Sequence, residues 1–227
     1  YGLSATVRRS DGLIATTFAV LGPIVHQVPD EAATGKTVPV RILKRDTGIK
    51  ASICCLDTDG TLVYSKLIGY LTNSKERNGQ IVQDLVANRN HYNLVLSDRL
   101  DHLRELLSEL PGELRAQAAM IDGGMTSKRA KAERAQAIED MRSGKKHFLF
   151  ATFGLAKEGL DIPRLDRLYM AVPKKDYTVV TQSIGRIART AEGKGEAVCY
   201  DYVDSIAFCE NQWKRRRAHY RKAGCKL

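Results

Sequence analysis

Residues 181–190 read TQSIGRIART. At about 3.6 residues per turn, Gln182, Arg186 and Arg189 fall on one helical face. An amide and two guanidinium groups therefore point the same way. The planar guanidinium fork matches the oxygens of a carboxylate or a phosphate. Gly185 sits among them. Glycine weakens a helix interior by about 1 kcal/mol relative to alanine, so its presence indicates that something approaches the backbone closely. Such a face can be an anion site or plain solvated surface, and this stretch alone does not separate the two.

The whole chain leans the same way. Its 227 residues carry 36 Lys and Arg against 26 Asp and Glu, a formal net charge of +10. That balance favours an anionic partner, nucleic acid being the commonest. A hydrophobic share of 43% fits a globular protein with a real core. No run of some 18 apolar residues is present, so no membrane span is expected, and no leader pattern opens the chain. The five cysteines, Cys54, Cys55, Cys199, Cys209 and Cys225, form no CxxC pair and no metal spacing with the histidines. They read as reduced thiols of a cytosolic protein with no metal site, Cys199 as core. The chain opens apolar at Tyr1, without Met, which reads as a fragment with sequence missing upstream.

These residues need a scaffold. From about residue 90, strand patterns (92–97, 117–122, 146–152, 166–173, 196–204) alternate with helical ones (98–110, 126–144, 177–190, 205–224). Asp98 is the expected cap of the first of these helices and Gly144 the stop of the second. That alternation predicts an α/β fold, a parallel sheet with helices on its faces. Strands that are apolar throughout predict burial on both sides. Earlier, a short helix is expected over 11–22, two strands joined by a turn over 23–29 and 37–46, and one or two helices over 61–89.

One stretch imitates a nucleotide site. DEAATGKT (30–37) ends like a phosphate-binding P-loop. The P-loop glycine position holds Asp30, and VPVRI follows where a helix must begin. The stretch reads as a turn.

Three further segments fall in order: Ser4-Ala5-Thr6; ATFGLAKEGLDIP (151–163); and QSIGRIAR (182–189). They resemble motifs III, V and VI of the superfamily 2 helicases. Thr152, Gly154, Glu158, Gly159 and Asp161 match motif V. Gln182, Gly185, Arg186 and Arg189 complete Q-x-x-G-R-x-x-R. The chain is similar to XPB-type and phage DNA-remodelling helicases more than to DEAD-box RNA helicases, whose motif VI usually begins with His.

The resemblance implies a RecA-like second domain over 30–227, with 1–29 the remnant of a first RecA-like domain and its linker. ATP with Mg²⁺ would be held mainly by that first domain, which is one partner; the other is DNA, gripped without sequence preference. Arg186 and Arg189 would act as arginine fingers, with Gln182 near the phosphates. Gly159, Asp161 and Gly185 would line the nucleotide side, and Ser4 and Thr6 would couple the domains. The implied location is the cytoplasm of a bacterial or phage-infected cell, or the nucleus of a eukaryote.

On the nucleic-acid side, the LSDRLDH stretch (96–102) takes the motif IV position, with Ser97 and Arg99 as phosphate contacts. Thr152 would donate to a backbone phosphate. The DGGMTSK loop (122–128) offers Gly123, Gly124, Thr126 and Lys128, or serves as a simple strand-to-helix turn. The basic stretch 211–224 reads either as a solvated helix end or as a phosphate patch with Trp213 and Tyr220 available for stacking. An RNA helicase and a non-catalytic nucleic-acid-binding module of the same fold are the rival readings.

Overall fold

The computed structural model describes Gly2 and residues 13–26, 37–157 and 160–227. Six strands make one sheet: β1 (Val40–Lys50), β2 (Asn93–Ser97), β3 (Ala118–Ile121), β4 (Phe148–Thr152), β5 (Arg167–Met170) and β6 (Ala197–Ser205). Their spatial order is β1-β6-β5-β2-β4-β3, and every pairing is parallel. The helices are α1 (Ile14–Leu21), α2 (Tyr64–Thr72), α3 (Lys75–Ala87), α4 (Leu100–Glu109), α5 (Gly112–Ala116), α6 (Lys128–Arg142), α7 (Phe153–Lys157), α8 (Tyr177–Ile187) and α9 (Ala207–Lys222).

Alternate side chains of each strand enter different cores, because successive Cβ atoms point to opposite faces. Leu94, Leu96, Leu149, Ala151, Leu168 and Met170 pack under α7, α8 and α9. Val95, Phe148, Phe150 and Tyr169 pack under α3 and α4. A parallel sheet covered on both faces is the expected RecA-like α/β architecture. Cys199 is fully buried in the first core, as expected.

Local chemistry sets the ends of these elements. Asp176 accepts the Val179 amide at 2.9 Å and so starts α8 despite its β-branched first turn. Gly144 takes a φ of 81° after α6, a conformation that side chains rarely adopt. Residues 61–89 divide at Asn73–Ser74, where Ser74 accepts the Arg77 amide and caps α3.

Three expectations need correction. Residues 23–26 form no strand, and 27–29 lie outside the described residues. Among the described residues Val40–Lys50 pairs not with 23–26 but in parallel with β6, from the other end of the chain. Asp98 does not cap α4; its carboxylate is ion-paired with Lys174. The 157-residue separation between Thr47 and its partner Asp204 on β6, like the Asp98–Lys174 pair, shows long-range contacts overriding local signals.

The topology creates one crevice. The connection leaving β2 runs outward to β3, past β4, while the one leaving β4 returns to β5. The helices that follow also diverge, α4 onto one face and α7 onto the other. Ligands of open α/β sheets gather at such a divergence, beyond the strand carboxyl ends. Ser97 and Thr152, the last residues of β2 and β4, are register partners there.

Candidate nucleotide and nucleic-acid sites

The expected functional residues separate onto opposite edges of the sheet. Asp161 comes before β5, Arg142 ends the helix before β4, and Arg189 is bridged to Thr37 just before β1. All three thus lie toward the strands' amino ends. Ser97, Arg99, Thr152 and the 122–126 loop lie at the carboxyl ends.

At the amino edge, α8 presents its polar face to the segment that follows β4. Arg186 donates from Nε to the Ala156 carbonyl at 2.7 Å and from Nη1 to the Leu160 carbonyl at 3.3 Å. Burial, with Arg189 as the next cause, pulls its pKa below the usual arginine range. Arg189 is ion-paired through Nη1 with Asp161. Arg142 holds the same residue, its Nε reaching the Asp161 carbonyl at 2.6 Å and its Nη2 the carboxylate at 3.4 Å. Lys194 gathers the carbonyls of Pro163, Leu165 and Arg189 at 2.9, 2.6 and 2.7 Å. Burial pushes its ammonium down to about 8.

Two features of this edge fit an incoming anion or donor. The Gln182 Oε1 is buried with no hydrogen-bond partner among the described residues, although buried polar atoms are almost always paired. Gly185 is exposed, and a Cβ there would meet nothing within 4 Å. It lines a groove of about 320 Å³ with Thr37–Val40 and Ala223–Cys225. Gly159, Ser4 and Thr6, also expected to contribute, lie outside the described residues.

At the carboxyl edge Ser97 is not the phosphate contact expected. It is fully buried, and its hydroxyl belongs to a chain of hydrogen bonds with one possible direction. Asn78 Nδ2 donates to the Thr72 carbonyl at 2.9 Å, so its Oδ1 is the atom facing His102 Nε2 at 3.0 Å. Nε2 must carry the proton, because an amide oxygen only accepts. His102 is held neutral, its pKa pushed down to about 3 by burial and by the nearby Arg77 charge. Nδ1 is then an acceptor, and Ser97 Oγ donates to it at 3.1 Å. Ser97 Oγ in turn accepts the Arg99 amide at 3.1 Å. The serine thus fixes the turn that carries the exposed Arg99. Thr152, its register partner, remains partly exposed.

In the 122–126 loop, the Gly124 amide is taken by Asp122 Oδ1 at 2.6 Å, and Thr126 donates its amide to the Gly124 carbonyl at 2.8 Å. Gly123 and Thr126 are exposed. A Cβ on Gly124 would lie 2.9 Å from Asp122 Oδ1, so a side chain there displaces that carboxylate from the Gly124 amide. Ser127 caps α6 through the Ala130 amide. The stacking reading of 211–224 fails for Tyr220, which is fully buried with its hydroxyl on Asp201, while Trp213 packs against the core and stays partly exposed.

The family described as helicase conserved C-terminal domain matches residues 75–191, from the start of α3 to just past α8. The chain belongs to that helicase family. The match takes in the motif IV, V and VI segments described above.

This helicase C-terminal domain is 26% identical over 213 residues to helicase 22 of Sulfolobus islandicus filamentous virus (isolate Iceland/Hveragerdi), covering 89% of the chain and 37% of the viral protein. It is 29% identical over 212 residues to the ATP-dependent RNA helicase L396 of Acanthamoeba polyphaga mimivirus, covering 89% of the chain and 38% of that protein. It therefore spans under two fifths of the length of these relatives. The crystal structure of T4 UvsW has the same fold, with a TM-score of 0.59 at 16% identity over 83% of this chain and 40% of that one.

Several contributors have no signature in the sequence. Arg142 and Lys194 sit in ordinary charged contexts, and Asn78 and His102 are separated by 24 residues. Only the paired positions of loop carbonyls and buried amides, known after folding, mark them.

Proposed function

We propose that this domain is the second motor domain of an ATP-dependent DNA helicase or translocase. Residues 30–227 form the domain, and 1–29 are the remnant of a first RecA-like domain and linker. Bound ATP, with Mg²⁺, supplies phosphoryl transfer to water, and the first domain holds most of it.

The observation that carries the reading is the Arg189–Asp161 pair beside Arg186. Arg189 is the cation at the surface of the α7–α8 face, oriented by a carboxylate. On closure it turns to the phosphoryl oxygens, where a guanidinium stabilises charge that spreads in the transition state. Arg186 keeps Ala156 and Leu160 against α8, and Gln182 offers its unpartnered Oε1 to a donor arriving with the nucleotide. Asp161 and Gly159 border the nucleotide side, and Gly185 allows the opposing domain to come close.

Arg99, Thr152, Gly123 and Thr126 grip the nucleic-acid backbone beyond the carboxyl ends. Phosphate contacts of this sort position the strand without reading sequence. The 152–161 segment joins the two edges, so closure around nucleotide alters the grip on the strand. Gln182 in the position where DEAD-box enzymes usually carry His supports DNA as the substrate. The RNA reading is supported by the name of the mimivirus relative. Among the described residues no helix is long and apolar enough to cross a membrane, and the cytoplasm is the proposed location.

The test is Arg189→Ala in the full-length protein. ATP hydrolysis falls by about 10³-fold or more, while nucleic-acid affinity stays within about twofold. Hydrolysis at the wild-type rate overturns the reading. The same assay stimulated by DNA and by RNA separates the two substrates.

A further inference from the structure

The last helix carries six Lys or Arg among its sixteen residues and one carboxylate, Glu210. One of the six belongs to the fold. Arg216 is buried, paired to both oxygens of Asp201 at 2.7 Å and donating to the Lys174 carbonyl at 2.8 Å. Tyr220 donates to the same carboxylate at 2.7 Å. These bonds fix the rotation of α9 about its own axis.

The other five, Lys214, Arg215, Arg217, Arg221 and Lys222, are therefore held outward, and all are exposed. None pairs with a carboxylate among the described residues; Lys222 lies 5.7 Å from the centre of the Tyr177 ring. The helix dipole favours Arg221 and Lys222 in the last turn. It does nothing for Lys214, Arg215 and Arg217. Lys214 with Arg217, and Arg217 with Arg221, are like-charge neighbours that destabilise an isolated helix. On α6, by contrast, Arg129 and Arg142 have Glu133 and Glu139.

The patch is connected to the carboxyl edge. Arg216 bonds the carbonyl of Lys174, whose ammonium pairs with Asp98, next to Arg99. Arg99, Thr152 and the 122–126 loop serve the β2–β4–β3 half of the sheet, and α9 packs on β6 and α8. We propose that the exposed face of α9 is a second grip on the phosphate backbone, engaging the part of the nucleic acid that extends beyond the β2–β4 crevice. With Tyr220 buried and Trp213 held partly against the core, the grip rests on the five outward cations. The inference rests on the nucleic-acid reading above.

The experiment compares the chain with K214Q/R217Q/R221Q and with a control, K75Q/R89Q/R104Q, that removes three charges from α3, the loop after it and α4. Binding is measured against salt for a short single-stranded oligonucleotide that fits the crevice alone and for a long tailed duplex. The α9 triple variant lowers the slope of log affinity against log salt on the tailed duplex by about two. It leaves the short strand at wild-type affinity, and its melting temperature is unchanged. A slope on the tailed duplex equal to that of the control overturns the α9 grip while leaving the helicase reading intact. Absence of binding by the wild-type chain to either probe overturns both.

Discussion

Arg189 reaches back 28 residues to hold Asp161, and Arg142 holds the same aspartate from the end of α6. One carboxylate thus ties the motif VI helix to the far end of the motif V segment. Both partners are partly solvated, with side-chain exposures of 34% for Arg189 and 58% for Asp161. Such a pair contributes at most about 1 kcal/mol to stability. Its importance lies in where it leaves the arginine.

Asp161→Asn tests that distinction. Chemical denaturation shows a loss below about 1 kcal/mol, while ATP hydrolysis by the full-length protein drops with Arg189 no longer held. A loss of several kcal/mol in the melt would make the pair structural.

Arg186→Lys behaves differently. An ammonium is a point donor and does not reproduce the spacing of Nε and Nη1. The Ala156 and Leu160 carbonyls lose their shared partner, at a cost of about 1–3 kcal/mol. Amide hydrogen exchange around 153–162 accelerates selectively. Unchanged protection there contradicts the role of Arg186 as the fastener of this segment.

His102 makes stability depend on pH. Its folded pKa, about 3, lies below its ordinary value of 6.5. The unfolded chain therefore binds the proton first, and stability falls as pH drops below 6.5. On the order of 2 kcal/mol is lost by pH 5 relative to pH 7.5. His102→Gln removes this contribution, so the difference between the two proteins in urea midpoint shrinks from pH 7.5 to pH 5. A parallel pair of pH profiles refutes it. Nitrogen chemical shifts of the wild-type ring report the Nε2–H tautomer throughout that range.

The two neighbouring glycines give a contrast. Gly124→Ala places a Cβ against Asp122 Oδ1 and opens the turn, whereas Gly123→Ala meets open space. Nucleic-acid affinity falls several-fold for Gly124→Ala and less than twofold for Gly123→Ala, with melting temperatures within a few degrees. Equal effects would show that the turn, as built, is not part of the grip.

The sheet and its order of helices were legible because buried strands and amphipathic helices write their own periods into the chain. Short elements were not: α5 and α7 have five residues each, too few to display a helical repeat. The partner of β1 was hidden because a parallel strand takes its neighbour from the distant end of the chain, here β6. In the site, residue types announced Arg186 and Arg189, but spacing could not say that Arg186 spends its donors on carbonyls. Ser97 shows the same limit. A serine at a strand's end looks like a ligand contact until the fold reveals a neutral histidine behind it.

The row from Thr72 through Asn78, His102 and Ser97 to the Arg99 amide admits a single ordering of its hydrogens. A change at one member strands a donor or an acceptor at the next. Relatives that abandon the histidine should therefore have altered the asparagine and the serine too, and the three positions are expected to drift as a unit rather than singly.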